Sequence, residues 1–308
     1  MSSGRSRARS RYRTAVLLLS LIAAALLAVL VSCPRERPAA AQQPAAPTPL
    51  PEPPRQSPTA AAEPERGGTL QQSPAAEPVH PAVRGQLALI IDDAGYDLAD
   101  LQPFLDLPMP LAVAVLPNLP HSAEAARRVR EAGKDLLLHL PMEPEGSENP
   151  GPGALLTTHP AAEVERLLDE ALASVPGAAG VNNHMGSKAT ADPAFMDILL
   201  EALDRRGLFF VDSRTTSLTV AAAEAERLGV PYLARKVFLD AVDGGIEKSL
   251  DAAVDAAARA GSAVAIGHVQ TDGLAAILRR AADGMERSGV RPARLSTLIA
   301  GRAGGTAE

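Results

Sequence analysis

The chain has 308 residues, 46% of them hydrophobic and 21% charged, with one cysteine, no tryptophan and a formal net charge of −6. One cysteine excludes an intramolecular disulfide. Setting aside five N-terminal arginines takes the charge from −6 to −11, and an acidic chain without a basic stripe is not built for nucleic acid.

The first segment carries Arg5, Arg7, Arg9, Arg11 and Arg13 and then the apolar stretch 15–32. Arginines ahead of an apolar segment stay cytoplasmic and send the downstream chain across the membrane. The stretch is short for a spanning helix and long for a signal-peptide core. Three modes of export stay open over residues 1–33: an uncleaved signal anchor, a lipoprotein processed at Leu30-Val31-Ser32-Cys33, and simple cleavage. Each exports the rest across a bacterial inner membrane; the anchor tethers it there through the N-terminal segment and the lipoprotein through lipid at Cys33. Residues 34–81 hold 13 of the 27 prolines. Such a segment buries too little apolar surface to offset its ordering entropy, so residues 34–85 read as a disordered linker. Residues 86–302 then form one domain, and 303–308 a tail.

Within that domain strand and helix signals alternate. A strand is predicted over 87–91, a helix over 98–105, a strand over 111–116 between two prolines, and a helix over 122–132 closed by Gly133. A third strand covers 136–139 and leads into a long Pro- and Gly-rich loop, 140–158. Further helices are predicted over 161–174, 193–206, 220–228, 246–260 and 274–287. Strands fall between them at 207–211, 233–239 and 262–266. This alternation argues for a parallel sheet with covering helices. About seven such units favour an α/β fold of the distorted (β/α) barrel type.

Five apolar runs end on residues able to bind a metal or move a proton. They end on Asp92-Asp93, His139, Asn182-Asn183-His184, Asp212-Ser213-Arg214 and His268. In parallel α/β folds chemistry gathers at the carboxyl ends of strands. Of Asp92 and Asp93, one carboxylate suits a metal and the other a proton, although aspartates also serve as turn caps. His139 follows three leucines, with Glu143 four residues on, and a lone histidine there is also compatible with a structural role. His80, His121 and His159 lack the pattern and read as structural or solvated. Together the strand ends suggest a metal hydrolase, since two His and one carboxylate leave open positions on Zn²⁺ for water and substrate.

The ordered motifs Ile-Asp-Asp, His-Leu-Pro-Met-Glu-Pro, Asn-Asn-His-Met-Gly-Ser, Asp-Ser-Arg-Thr, Phe-Leu-Asp and Ile-Gly-His resemble the divergent polysaccharide deacetylase family. These envelope proteins are related to carbohydrate esterases with a distorted (β/α) barrel. The resemblance covers about residues 86–299. It implies N-deacetylation of an acetylated amino sugar in an envelope glycan, with one divalent metal ion, zinc by expectation. It implies Asp93, His139 and His184 as ligands, Asp92 as general base and His268 as general acid. Asp212 and Arg214 would support that machinery, and Asn183 would face substrate. Two departures stand out. The broader family takes two ligands from His-x-x-x-His, where this chain has His139-x-x-x-Glu143, so either His184 or Glu143 completes the set. Val269 stands where the family usually has proline after Gly-His. The altered motif keeps a second reading open, an inactive barrel that binds envelope glycan or a partner.

Overall fold

Runs of Leu, Ile, Val and Ala form strands here because both of their faces are covered, one by helices and one by the barrel interior. The computed structural model describes residues 83–240 and 244–303. The N-terminal anchor, Cys33, nearly all of the linker and the last five residues lie outside these. Among the described residues no helix is long and apolar enough to cross a membrane.

The elements alternate along the chain. The first half holds β1 (Gly85–Ala94), α1 (Leu98–Leu105), β2 (Ala112–Val115), α2 (Ser122–Glu131), β3 (Asp135–Met142), α3 (Ala161–Ser174) and β4 (Gly180–Met185). It continues with α4 (Pro193–Asp204), β5 (Phe209–Asp212), α5 (Ala221–Leu228), β6 (Tyr232–Ala234) and β7 (Val237–Phe238). The end of the domain adds α6 (Ile246–Ala260), β8 (Ser262–His268), α7 (Leu274–Arg287), β9 (Val290–Pro292) and α8 (Leu295–Ala303).

The strands pair in the order β6-β5-β4-β3-β2-β1-β8-β7, and β9 joins the start of β1. All of these pairings are parallel. β6 and β7 stand at opposite ends of this order, yet only Arg235 and Lys236 separate them. The Arg235 amide donates to the Asp212 carbonyl, and the Lys236 amide donates to that of Val264. One extended segment therefore leaves β5 and joins β8, and the sheet closes on itself through a split stave. With β6 and β7 taken as one stave the wall has seven, the distorted barrel that the sequence suggests.

Alternation sorts side chains between two cores. Ala88, Ile90, Leu137, Phe209, Val211, Val264 and Ile266 fill the interior, while Leu87, Leu89, Ile91, Leu138 and Phe210 pack against the helices. The same parity carried to the strand ends aims Asp92, His139, Asn182, His184 and His268 into the mouth. Asn183 and Asp212 fall on the opposite parity.

Several helix bounds coincide with the sequence reading. Asp97 and Asp192 cap α1 and α4 by accepting from the amides of Ala99 and Phe195. β3 runs to Met142, beyond the expected end at His139, despite Pro141. The β2 ladder stops at Leu138, so the missing Pro141 N–H faces no β2 partner. The sequence reading has no element after Arg287. β9 and α8 are short, and α8 closes the far end of the barrel by packing Leu295 and Leu298 into the interior core.

Candidate functional site

The site begins with an irregularity in β1. Pairing to β2 runs Ile91↔Val113 and then Ala94↔Val115, so β1 carries one extra residue across Asp92 and Asp93. Such a bulge re-aims a side chain. Asp93 takes φ 65, a left-handed conformation uncommon outside glycine. Strict alternation would turn Asp93 away from the mouth; the bulge brings both carboxylates to one side. Met185 and Arg214, at the ends of β4 and β5, also have positive φ. Backbone strain of this kind gathers at functional sites.

Three side chains converge beside the bulge. Asp93 Oδ1 lies 3.2 Å from His139 Nε2 and 3.0 Å from His184 Nδ1. The two imidazole nitrogens are 3.1 Å apart. These atoms form a nearly equilateral triangle. A tetrahedral ion with bonds of ~2.0 Å separates its ligand atoms by about 3.3 Å, so the triangle matches one face of such a site. Asp93 Oδ1 is buried and has no aligned hydrogen-bond donor. A buried acceptor without a donor costs free energy, which a cation in this position would remove. The residues therefore fit a divalent metal.

Asn182 sets the chemistry of His139. Asn182 Nδ2 donates to Asp92 Oδ1 at 2.8 Å, which leaves Asn182 Oδ1 to accept from His139 Nδ1 at 2.9 Å. The proton on Nδ1 leaves the Nε2 lone pair of the neutral ring facing Asp93 and His184. Gln270 holds Asp93 from outside by donating to its Oδ2 at 3.0 Å.

The electrostatics divide the two aspartates. Burial pushes the Asp92 carboxyl up, against the opposing pull of His139 and Asn182. Burial would also raise Asp93, but His139, His184 and Gln270 hold it far below the usual carboxylate range. Burial alone would lower His139; Asp92 and Asp93 instead bring it to about 9. Adjacent carboxylates with separated proton affinities suit one ligand and one base.

Beside Asp92 on the neighbouring strand, His268 pairs with it in register. Its Nδ1 lies 3.1 Å from Asp240 Oδ1, and its amide donates to Asp240 Oδ2 at 2.7 Å. Thr271 also donates to that oxygen. The Asp240 contact raises the His268 pKa against the effect of burial. Gly267 leaves room for Leu274 beside this pair, since a Cβ there would stand 2.6 Å from a Leu274 methyl.

The remaining sequence candidates lie beside this cluster. Glu143 turns away from the triangle: it accepts from the Thr157 amide and hydroxyl and pairs with Lys188 at 2.7 Å. Burial would raise Glu143, but Lys188 and Thr157 bring it down to about 2. Among the described residues the group able to hold a metal is Asp93, His139 and His184. Asn183 is buried and directed away from the mouth; it accepts from the Ser213 amide and donates to the Met185 carbonyl. Asp212 holds the loop after β5 through the Arg214 amide, the Thr219 hydroxyl and the Tyr232 hydroxyl. The Arg214 side chain belongs to an exposed residue on the rim. Sequence reasoning put Asn182 in a strand-end cluster and Asp240 in the Phe-Leu-Asp motif without giving either a role, and passed over Gln270. Parity shows Asn182, two residues before His184 on the same face, whereas Asp240 and Gln270 lie outside any strand and give no periodic signal.

Residues 89–299 match the family described as divergent polysaccharide deacetylase. The chain belongs to that family. This deacetylase-family chain is 40% identical over 190 residues to the uncharacterized protein YibQ of Escherichia coli K12, covering 61% of this chain and 60% of that one. It is 37% identical over 196 residues to an uncharacterized protein of Haemophilus influenzae, covering 63% and 70%. The chain thus spans less than two thirds of the length of the Escherichia coli relative. Among solved structures, the uncharacterized protein ATU2773 of Agrobacterium tumefaciens C58 superposes with a TM-score of 0.66 at 23% identity, covering 70% of this chain and 89% of that one. That likeness bears on the fold.

Proposed function

We propose that this protein is a metal-dependent hydrolase that N-deacetylates an acetylated amino-sugar glycan of the cell envelope. The observation that carries the reading is the triangle of Asp93 Oδ1, His139 Nε2 and His184 Nδ1, with an orphaned buried carboxylate oxygen at one corner. These three residues would hold one divalent cation, with zinc the ion expected from their nitrogen and carboxylate donors. When bound, such an ion acts as a Lewis acid toward a carbonyl oxygen and makes water a better nucleophile at neutral pH.

The chain's own groups supply the proton transfers. Asp92, buried and raised in pKa, takes a proton from the water that attacks the acetyl carbonyl carbon. His268, held at Nδ1 by Asp240, gives a proton from Nε2 to the departing amine as the C–N bond breaks. Acetate and a free amine leave. Asn182 keeps His139 in the ligand tautomer and orients Asp92. Tyr96, three residues past Asp93, is exposed beside the first strand end, and an exposed aromatic next to a site is a natural support for a sugar ring. The arginine-flanked apolar segment at the N-terminus supports an envelope location with a membrane tether.

The test is acetate release by the zinc-loaded protein from N-acetylated chito-oligosaccharides and peptidoglycan fragments. Release that disappears in Asp93→Asn supports the reading. Full zinc occupancy with no acetate from any of these glycans rejects it, and measurable glycan binding in that case would favour an idle binding barrel.

A further inference from the structure

His268 is held by more than its aspartate. The Phe238 ring stacks on the His268 imidazole with centroids 5.7 Å apart and planes 25° from parallel. The Arg235 guanidinium lies over the same phenyl ring, 3.7 Å from its centroid. Arg235 is itself fixed: Nε donates to the Ser213 carbonyl at 2.6 Å, and Nη2 donates to the Arg214 carbonyl at 2.9 Å. Among the described residues it forms no ion pair with a carboxylate. Its planar fork is spent on two backbone carbonyls and one aromatic face, a geometry that lysine cannot reproduce.

The place of this stack in the fold gives it a purpose. Arg235 stands in the gap between β6 and β7, where the barrel wall is a single split stave. The two carbonyls that it grips follow β5, the neighbour of the strand that carries His184. Phe238 belongs to β7, the neighbour of the strand that carries His268. The series Ser213–Arg235–Phe238–His268 therefore spans the seam and ties the proton donor to the metal-ligand side of the mouth.

We infer that Arg235 and Phe238 are positioning residues for proton donation by His268: they fix the plane of the imidazole, while Asp240 fixes its tautomer. This inference rests on the deacetylase reading of the same site. Proton transfer from a positioned acid contributes about 10²- to 10⁴-fold, and a misaimed acid forfeits part of that.

The test compares substrates that do and do not need an acid, using full-length zinc-loaded protein. In Arg235→Ala and Phe238→Leu, kcat on an N-acetyl amino-sugar amide falls by about 10- to 100-fold, with KM and zinc content little changed. Hydrolysis of 4-nitrophenyl acetate, whose leaving group departs without protonation, falls by less than about 3-fold. Phe238→Tyr recovers most of the loss, because the ring stack survives, whereas Arg235→Lys recovers little. Parallel losses on both substrates, or no loss on the amide, overturn the inference. If the unmodified protein releases acetate from no amide, the deacetylase reading fails on its own. The stack is then judged by ¹⁵N–¹H spectra of the His268 ring: one sharp set of signals that broadens in Arg235→Ala and Phe238→Leu upholds the clamp, and unchanged spectra reject it.

Discussion

Asn182 joins His139 to Asp92 through one side-chain amide, accepting from one and donating to the other. The proposed metal ligand and the proposed base are thereby oriented by the same buried group. Asn182→Leu leaves both partners unsatisfied. It should cost about 1–3 kcal/mol in stability and weaken zinc binding by about 10- to 100-fold. Thermal unfolding and competitive zinc titration measure the two effects, and zinc affinity within 2-fold of the unsubstituted protein would contradict this assignment.

The triangle predicts which substitutions release metal. His139→Ala, His184→Ala and Asp93→Asn should each lose zinc by elemental analysis, while Glu143→Gln should retain it. In the metal-free protein His139 stands at about 9, and a cation binds only the neutral ring. Zinc affinity should therefore climb as pH rises towards about 9, and binding at pH 7 should release a proton. Calorimetry in buffers of different ionisation enthalpy reads that proton directly.

In the proposed mechanism the His268–Asp240 pair sets an alkaline limit. His268 works as an acid only while protonated, and Asp240 raises its pKa above the ordinary 6.5. Activity should fall as pH rises through that raised value. Asp240→Asn removes the main cause of the raise, so the alkaline limb should move to lower pH. An unshifted limb would mean that another group governs it. The stability signs agree: a raised His268 contributes fully below 6.5 and loses its contribution as pH rises through the folded value. A lowered Asp240 contributes above 3.8 and loses its contribution as pH falls through the folded value. The pair is strongest between those limits.

Gly267 gives a test by volume alone. In Gly267→Ala the new methyl meets the buried Leu274, whose methyl would stand 2.6 Å away. Overpacking of this kind costs about 1–3 kcal/mol. Acid-dependent amide turnover should drop further than zinc occupancy, since the overpacked position adjoins His268 rather than the triangle. Kinetics and elemental analysis on one preparation separate the two.

Much of this was legible in the chain. Strand and helix alternation gives the barrel, because fully buried parallel strands announce themselves as apolar runs. Asp93, His139 and His184 stand at the ends of such runs, so their convergence follows from topology. Two features resist a linear reading. The bulge that turns Asp93 inward is a backbone event with no side-chain pattern. Asp240 and Gln270 reach the mouth from loops, where periodicity says nothing about direction. Asn183 and Asp212 have the residue types of a site, but strand parity sends their side chains into the surrounding support.

The split stave has a consequence for how the site fails. β1 and β8 share a ladder of seven residue pairs, and β3 and β4 one of six, whereas β6 holds β5 by three pairs and β7 holds β8 by two. The proposed ligands stand on long ladders, while the residues inferred to aim the proposed proton donor hang on the shortest. Short ladders open at lower free energy than long ones. Warming should therefore spoil the donor's alignment while the ion is still gripped, and the protein would become a metal-loaded but silent barrel before it unfolds.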